Sequence, residues 1–215
     1  MAGARGRRAR GRADGVSAEP RPLIVVLHGP SGVGKDSVIA ELRERTGIHR
    51  ATSSNSRPPR EGERQGVDYH FFSRDEFEQK IKADDFLEHA SVYDDYKGLE
   101  RREVEEPLAE GKDVLIRTDL QGARTLRGLL RGAVFVLLAP ESREALRARL
   151  AARASESEES LARRLAEVDD ELADAPNNHY VVENREGALD DAVEELAGII
   201  ERERVNPDRE PAGVR

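Results

Sequence analysis

The run Gly29-Pro30-Ser31-Gly32-Val33-Gly34-Lys35-Asp36-Ser37 constrains this chain more than any other stretch. It follows the apolar segment Leu23–Leu27, which reads as a buried parallel strand, and it precedes Val38, Ile39 and Leu42, which recur at helical spacing until Gly47. Gly, four residues, then Gly-Lys between a strand and a helix is the phosphate-loop arrangement. Its glycines permit positive φ and close backbone approach. Successive N–H groups and the helix N-terminus then converge on a di- or triphosphate, and Lys35 adds a point charge. Gly29 through Ser37 are therefore the expected nucleotide contacts, in preference to a glycine turn carrying an accidental Lys.

Two further buried-strand segments, Val114–Ile116 and Ala133–Leu138, are each followed by a helical stretch, and Tyr180–Val182 is a shorter third. Strands alternating with helices predict an α/β fold, a P-loop NTPase parallel sheet with helices on both faces. The expected domain is residues 22–201. Residues 52–72, rich in Ser, Arg, Pro and Gly, predict a small, partly β lobe inserted over about 52–101. Residues 142–174, charged and helical in pattern, predict a lid. Residues 1–21 carry an Arg-rich start without apolar periodicity and read as a disordered basic tail, a solvated extension in preference to an RNA-binding arm or transit peptide. Residues 202–215 are polar, with two prolines, and are expected to fray.

Composition narrows the function. The 215 residues contain no Cys, which excludes a disulfide scaffold, a thiolate metal site and a cysteine nucleophile, and fits a reducing cytoplasm. A net charge of −8 argues against a general nucleic-acid binder. The longest apolar run, Ala133–Pro140, is far short of the roughly 20 residues that span a bilayer, so no membrane partner is expected. Aromatics are only 4% of the chain, so the core is expected to rest on Leu, Val, Ile and Ala.

Beyond the loop, Arg57-Pro58-Pro59-Arg60-Glu61-Gly62-Glu63, Gly66, Asp68-Tyr69 and Phe71 stand in order. Phe86-Leu87-Glu88, Asp119-Leu120-Gln121-Gly122, Ala139-Pro140, Glu158-Glu159-Ser160 to Arg163-Arg164-Leu165, and Asn184 follow. This series, over residues 23–200, resembles guanylate kinase, the P-loop enzyme that phosphorylates GMP with ATP. The resemblance implies a GMP-binding lobe in which Ser53, Glu88 and Asp119 read guanine, while Arg57, Arg60 and Tyr69 hold its phosphate. It implies that Lys35, Arg149, Arg153 and Arg164 carry catalysis, and that Asn184 lies near the adenine of ATP. It further implies Mg2+ as cofactor, ATP and GMP as the molecular partners, and a monomer. The chemistry agrees with these residue types. Guanine offers N1–H and N2–H donors to carboxylates, whereas adenine N1 is an acceptor and is rejected by them. Arginine forks suit phosphate oxygens. Arg149 and Arg153, four apart on a helix, repel unless an anion lies over them.

Several positions depart from the family pattern. Asp36 stands where Ser or Thr normally meets magnesium; it either holds the metal or faces solvent and complements the helix dipole. Asn55-Ser56 replaces two threonines, Lys97 a tyrosine, and Leu99 a small hydroxyl residue that often touches the base. Arg117 replaces an Asp two residues before Asp119, which with Asp36 suggests an exchange of charges between neighbouring strand ends. Two other readings remain open: a small-molecule kinase acting on ribose 1,5-bisphosphate, and a non-catalytic module that binds phosphopeptides.

Overall fold

The computed structural model describes residues 19–92, 94–151 and 168–215. In chain order the first elements are β1 (Ile24–His28), α1 (Lys35–Thr46), β2 (His49–Arg50), β3 (Ser54–Asn55), β4 (His70–Phe71), α2 (Arg74–Lys82), β5 (Phe86–Val92), β6 (Asp95–Glu100) and α3 (Arg102–Ala109). They are followed by β7 (Val114–Arg117), α4 (Leu120–Leu129), β8 (Leu130–Arg131), β9 (Val134–Pro140), α5 (Arg143–Ala151), the helical residues 168–173 (α6), β10 (Tyr180–Asn184), α7 (Leu189–Arg204) and β11 (Gly213–Val214).

The main sheet is parallel, in the order β10-β9-β1-β7-β2. Alternation along β1 divides its buried residues between the two faces. Val25 and Leu27 join Val38, Ile39 and Leu42 of α1 and Leu196 and Ile200 of α7 in one cluster. Ile24 and Val26 join Val114, Ile116, Ala123 and Leu126 in the other. Truncating any of the Leu or Ile side chains among them to Ala would cost about 2–5 kcal/mol. Helix α1 stops at Gly47, whose φ of 68° lets its N–H return to the Arg43 carbonyl at 2.9 Å. Chain order reverses about β1, so the carboxyl ends of β1 and its neighbours form the crevice in which such sheets place ligands.

A second sheet, β4-β3-β6-β5, stands between α1 and α3 in the chain and carries α2. Its interior differs from the aliphatic core expected for the chain. Phe77 stacks on Phe86 with centroids 4.3 Å apart and on Tyr96 at 5.4 Å, and Phe72 meets Phe77 edge-on. Such a small sheet has little area to bury, and large rings supply it with few residues. α2 is capped by Ser73, which accepts from the Glu76 N–H while Glu76 returns to the Ser73 N–H.

The two ends of the chain correct the sequence reading. Residues 205–215 are not frayed: β11 pairs antiparallel with β8, and the Arg209 guanidinium donates to the carbonyls of Glu203, Gly132, Arg21 and Pro22 at 2.8–3.3 Å. Arg21 is equally anchored, donating to the carbonyls of Asn206 and Arg209 at 2.6 and 2.9 Å. Arginine-to-carbonyl bonds fix a polar segment without any apolar periodicity. The rest of the expected basic tail, residues 1–18, lies outside the described residues, as does 152–167 of the expected lid. Among the described residues no helix is long and apolar enough to cross a membrane.

Candidate active site

The turn after β1 is held from two sides. Gly29 has φ 149°, and a Cβ there would lie 2.2 Å from the Leu138 carbonyl oxygen of β9. Gly34, at φ 98°, caps α1, and a Cβ there would meet the Asn184 side chain at 2.5 Å. Only glycine fits both constraints. Val33 is buried and anchors the loop in the core. The Lys35 ammonium donates to the carbonyls of Gly29 and, at 3.0 Å, Pro30. Burial pushes Lys35 down to about 8, opposed by Glu171 and reinforced by the nearby Arg117 cation.

Gly29, Ser31, Gly32, Gly34, Lys35, Asp36 and Ser37 form one wall of a cleft of about 500 Å3. The same cleft is lined by Ser53, Tyr69, Glu88 and Asp119, all predicted from sequence. Asp119 also caps α4, one carboxylate oxygen accepting from the Gly122 N–H at 2.9 Å. Burial raises the Glu88 carboxyl above its ordinary range, and the neighbouring Asp119 charge adds to the rise. Two carboxylates and a buried ammonium therefore face one cavity.

The remaining predicted residues are placed differently. Arg57 is gripped by both Glu63 oxygens at 2.7 Å and lies over the rings of Tyr69 and Phe71, at 5.4 and 5.6 Å from their centroids. That grip pulls Glu63 down to about 2. Arg60 is exposed on the same loop, its N–H donating to Glu63 at 2.8 Å. Neither arginine lines the cleft as it stands. Pro30 and Val33 are buried behind the loop. Asn184 does not face the cleft: it is 7% exposed, and its amide donates to the Val33 carbonyl at 2.7 Å. Arg149 is likewise outside, bonded to Glu186 at 2.7 Å and to the Asn184 carbonyl at 3.1 Å. Arg153 and Arg164 lie outside the described residues.

The departures from the family pattern acquire physical roles. Asn55 accepts from the Arg57 N–H at 3.1 Å, and the Ser56 hydroxyl accepts from the Tyr96 N–H at 2.7 Å, so both shape the loop beside the cleft. Leu99 is 2% exposed and belongs to the aliphatic cluster, while Lys97 and Gly98 line the cavity. Arg117 does meet Asp36, with Nε–Oδ1 at 2.9 Å and Nη2–Oδ2 at 3.2 Å. His89, Thr125 and Glu171 also line the cleft without having been anticipated. Each is an isolated polar residue in a polar stretch, and no spacing singled it out.

A divalent cation fits this site in one form. Among the described residues no three His, Cys, Asp or Glu side chains are grouped as a cage. The Asp36 side chain is 73% exposed, and Ser37, the next residue, lines the same cleft. That donor set suits Mg2+ carrying water and substrate phosphate oxygens, its usual state at phosphate sites.

A family model described as guanylate kinase matches residues 20–203. The curated guanylate kinase of Symbiobacterium thermophilum is 44% identical over 197 residues, 91% of this chain and 92% of that one. Guanylate kinase 2, chloroplastic/mitochondrial, of Oryza sativa subsp. japonica is 43% identical over 187 residues; the match covers 86% of this chain but 66%, just under two thirds, of the rice protein. The crystal structure of guanylate kinase from Anaplasma phagocytophilum superposes with a TM-score of 0.70 at 27% identity, covering 89% and 91% of the two chains.

Proposed function

We propose, because the chain belongs to the guanylate kinase family, that it transfers the γ-phosphoryl group of ATP to GMP, giving ADP and GDP. The observation that carries this reading is the pair Glu88 and Asp119 lining one cleft with Lys35 and the phosphate loop.

The loop's N–H groups and Lys35 receive the ATP phosphates. Glu88 and Asp119 accept from guanine N1–H and N2–H, and the Ser53 hydroxyl donates to O6. AMP in the same place would set its N1 lone pair against a carboxylate, and buried polar mismatches of this kind discriminate by about 10⁴ or more. Tyr69, with Lys97 beside it in the cleft wall, holds the acceptor phosphate. Arg57 and Arg60 join once the Glu63 clasp is exchanged for the substrate. Asp36 and Ser37 would hold Mg2+, which would supply charge neutralisation at the phosphates. Transfer needs no covalent enzyme intermediate, because positioning and cationic surroundings carry it. The second sheet is the GMP-binding lobe, and α5, α6 and the segment between them, with Arg149, Arg153 and Arg164, form the lid. Asn184, buried behind the loop, acts on ATP by positioning the loop. The enzyme works as a monomer in the cytoplasm, a setting that a chain without Cys suits.

The test is product analysis with wild type and Lys35→Ala. Wild type should convert ATP and GMP to equal amounts of ADP and GDP, and Lys35→Ala should lower turnover by about 10²–10³ while keeping its thermal midpoint. Near-wild-type turnover in Lys35→Ala would refute the assignment.

A further inference from the structure

The geometry points to Arg117 as a phosphate-contacting catalytic residue of this chain, stored on Asp36 until a nucleotide phosphate draws it into the cleft. This rests on the kinase reading above and adds a cation to it. Arg117 ends β7 and lines both the main cleft and an adjoining recess of about 270 Å3 that Asp36, Tyr69, Arg43, Arg50, Glu63 and Asp68 share. Its two-point pairing with Asp36 puts the guanidinium one residue from Lys35, against the loop that receives the phosphates.

Two considerations make the pair a store and not a lock. The Asp36 side chain is 73% exposed and that of Arg117 34%, and pairs in such surroundings contribute only about 0–1 kcal/mol. A polyphosphate carries several charges into a less hydrated cleft, so it competes strongly for the same fork. Asp36 alone would repel that polyphosphate, and Arg117 cancels its charge in the free protein. During transfer the bond from the γ-phosphorus to its bridging oxygen breaks and a bond to an acceptor phosphate oxygen forms. Arg117 exchanges no proton; it moves from the Asp36 carboxylate to phosphate oxygens and offsets the charge they carry.

The experiment uses the full chain and three variants, Arg117→Ala, Arg117→Lys and Asp36→Asn. ATP affinity is measured by calorimetry in the presence of a chelator, and steady-state ADP release with ATP, Mg2+ and GMP. Arg117→Ala should lose about tenfold in chelated ATP affinity and about 10²–10³ in kcat, with the GMP KM changed less than about threefold. Arg117→Lys, which keeps the charge without the fork, should fall between. Asp36→Asn should raise chelated ATP affinity, because it removes both the competitor for Arg117 and a repulsive charge. A purely structural pair predicts losses of the same sign from Arg117→Ala and Asp36→Asn, and that result overturns the inference. Unchanged ATP affinity and kcat in Arg117→Ala overturns it as well. If wild type released no ADP with GMP, the kinase reading would fail, while the opposite-signed ATP affinities would still establish the phosphate contact.

Discussion

The side-chain amide of Asn184 donates a 2.7 Å hydrogen bond to the main-chain carbonyl of Val33, tying the end of β10 to the middle of the phosphate loop. The Asn184 carbonyl in turn accepts from Arg149 of α5, so the bond stands between that helix and the loop. Asn184→Ala leaves a buried carbonyl without this donor, at a cost of about 1–3 kcal/mol. The thermal midpoint should fall by about 3–10 °C and the ATP KM should rise, with the preference for ATP over GTP as donor unchanged. Calorimetry and a two-donor assay check this. A lost donor preference at constant midpoint would restore the adenine contact expected from sequence.

Glu88 predicts a conflict between stability and recognition. Its carboxyl titrates above the ordinary range because burial and Asp119 disfavour the charge. A raised acid in the fold contributes stability below its ordinary value, and that contribution is lost as pH rises through the raised value. Near neutral pH the charged form therefore strains the fold. Glu88→Gln should melt higher than wild type at pH 7, and the difference should vanish below about pH 4. The same variant should lose GMP recognition. In wild type the GMP KM should climb as pH falls through the raised Glu88 value, at a higher pH than an ordinary carboxylate would give. A variant that melts lower at pH 7 would show that Glu88 is stabilised as an anion.

Arg209 carries the C-terminal segment. It is 8% exposed, and burial lowers its pKa. Arg209→Ala removes its bonds to the carbonyls of Glu203, Gly132, Glu210, Arg21 and Pro22 and should cost about 2–4 kcal/mol, a fall of about 5–10 °C, with activity per folded molecule unchanged because the cleft is built elsewhere. An unaltered melting curve would return residues 205–215 to the status of a loose tail.

What could be read beforehand follows from the kind of force involved. β1, β7 and β9 are apolar runs between breakers, and the loop after β1 has a spacing with a single chemical use. The Asp36–Arg117 pair was visible as two coupled departures from one family pattern. β2 escaped notice because its two residues, His49 and Arg50, form a polar edge beside β7. The aromatic interior of the lobe was hidden by a chain-wide average, since four of the five Phe residues lie between positions 71 and 86. Asn184 and Arg209 act through hydrogen bonds to backbone carbonyls, and such bonds leave no periodic trace. Arg149 could be placed on a helix, but its partners, Asn184 at the end of β10 and Glu186 in the turn after it, are far away in the sequence.

The most direct test of the account is ADP release with ATP and Mg2+ against GMP, dGMP, AMP, UMP and ribose 1,5-bisphosphate. Glu88 and Asp119 in one cleft with the phosphate loop predict that kcat/KM for GMP exceeds that for AMP by about 10⁴ or more, with UMP and ribose 1,5-bisphosphate no better than AMP. A preference for AMP or for ribose 1,5-bisphosphate, or no acceptor-dependent release at all, would contradict it.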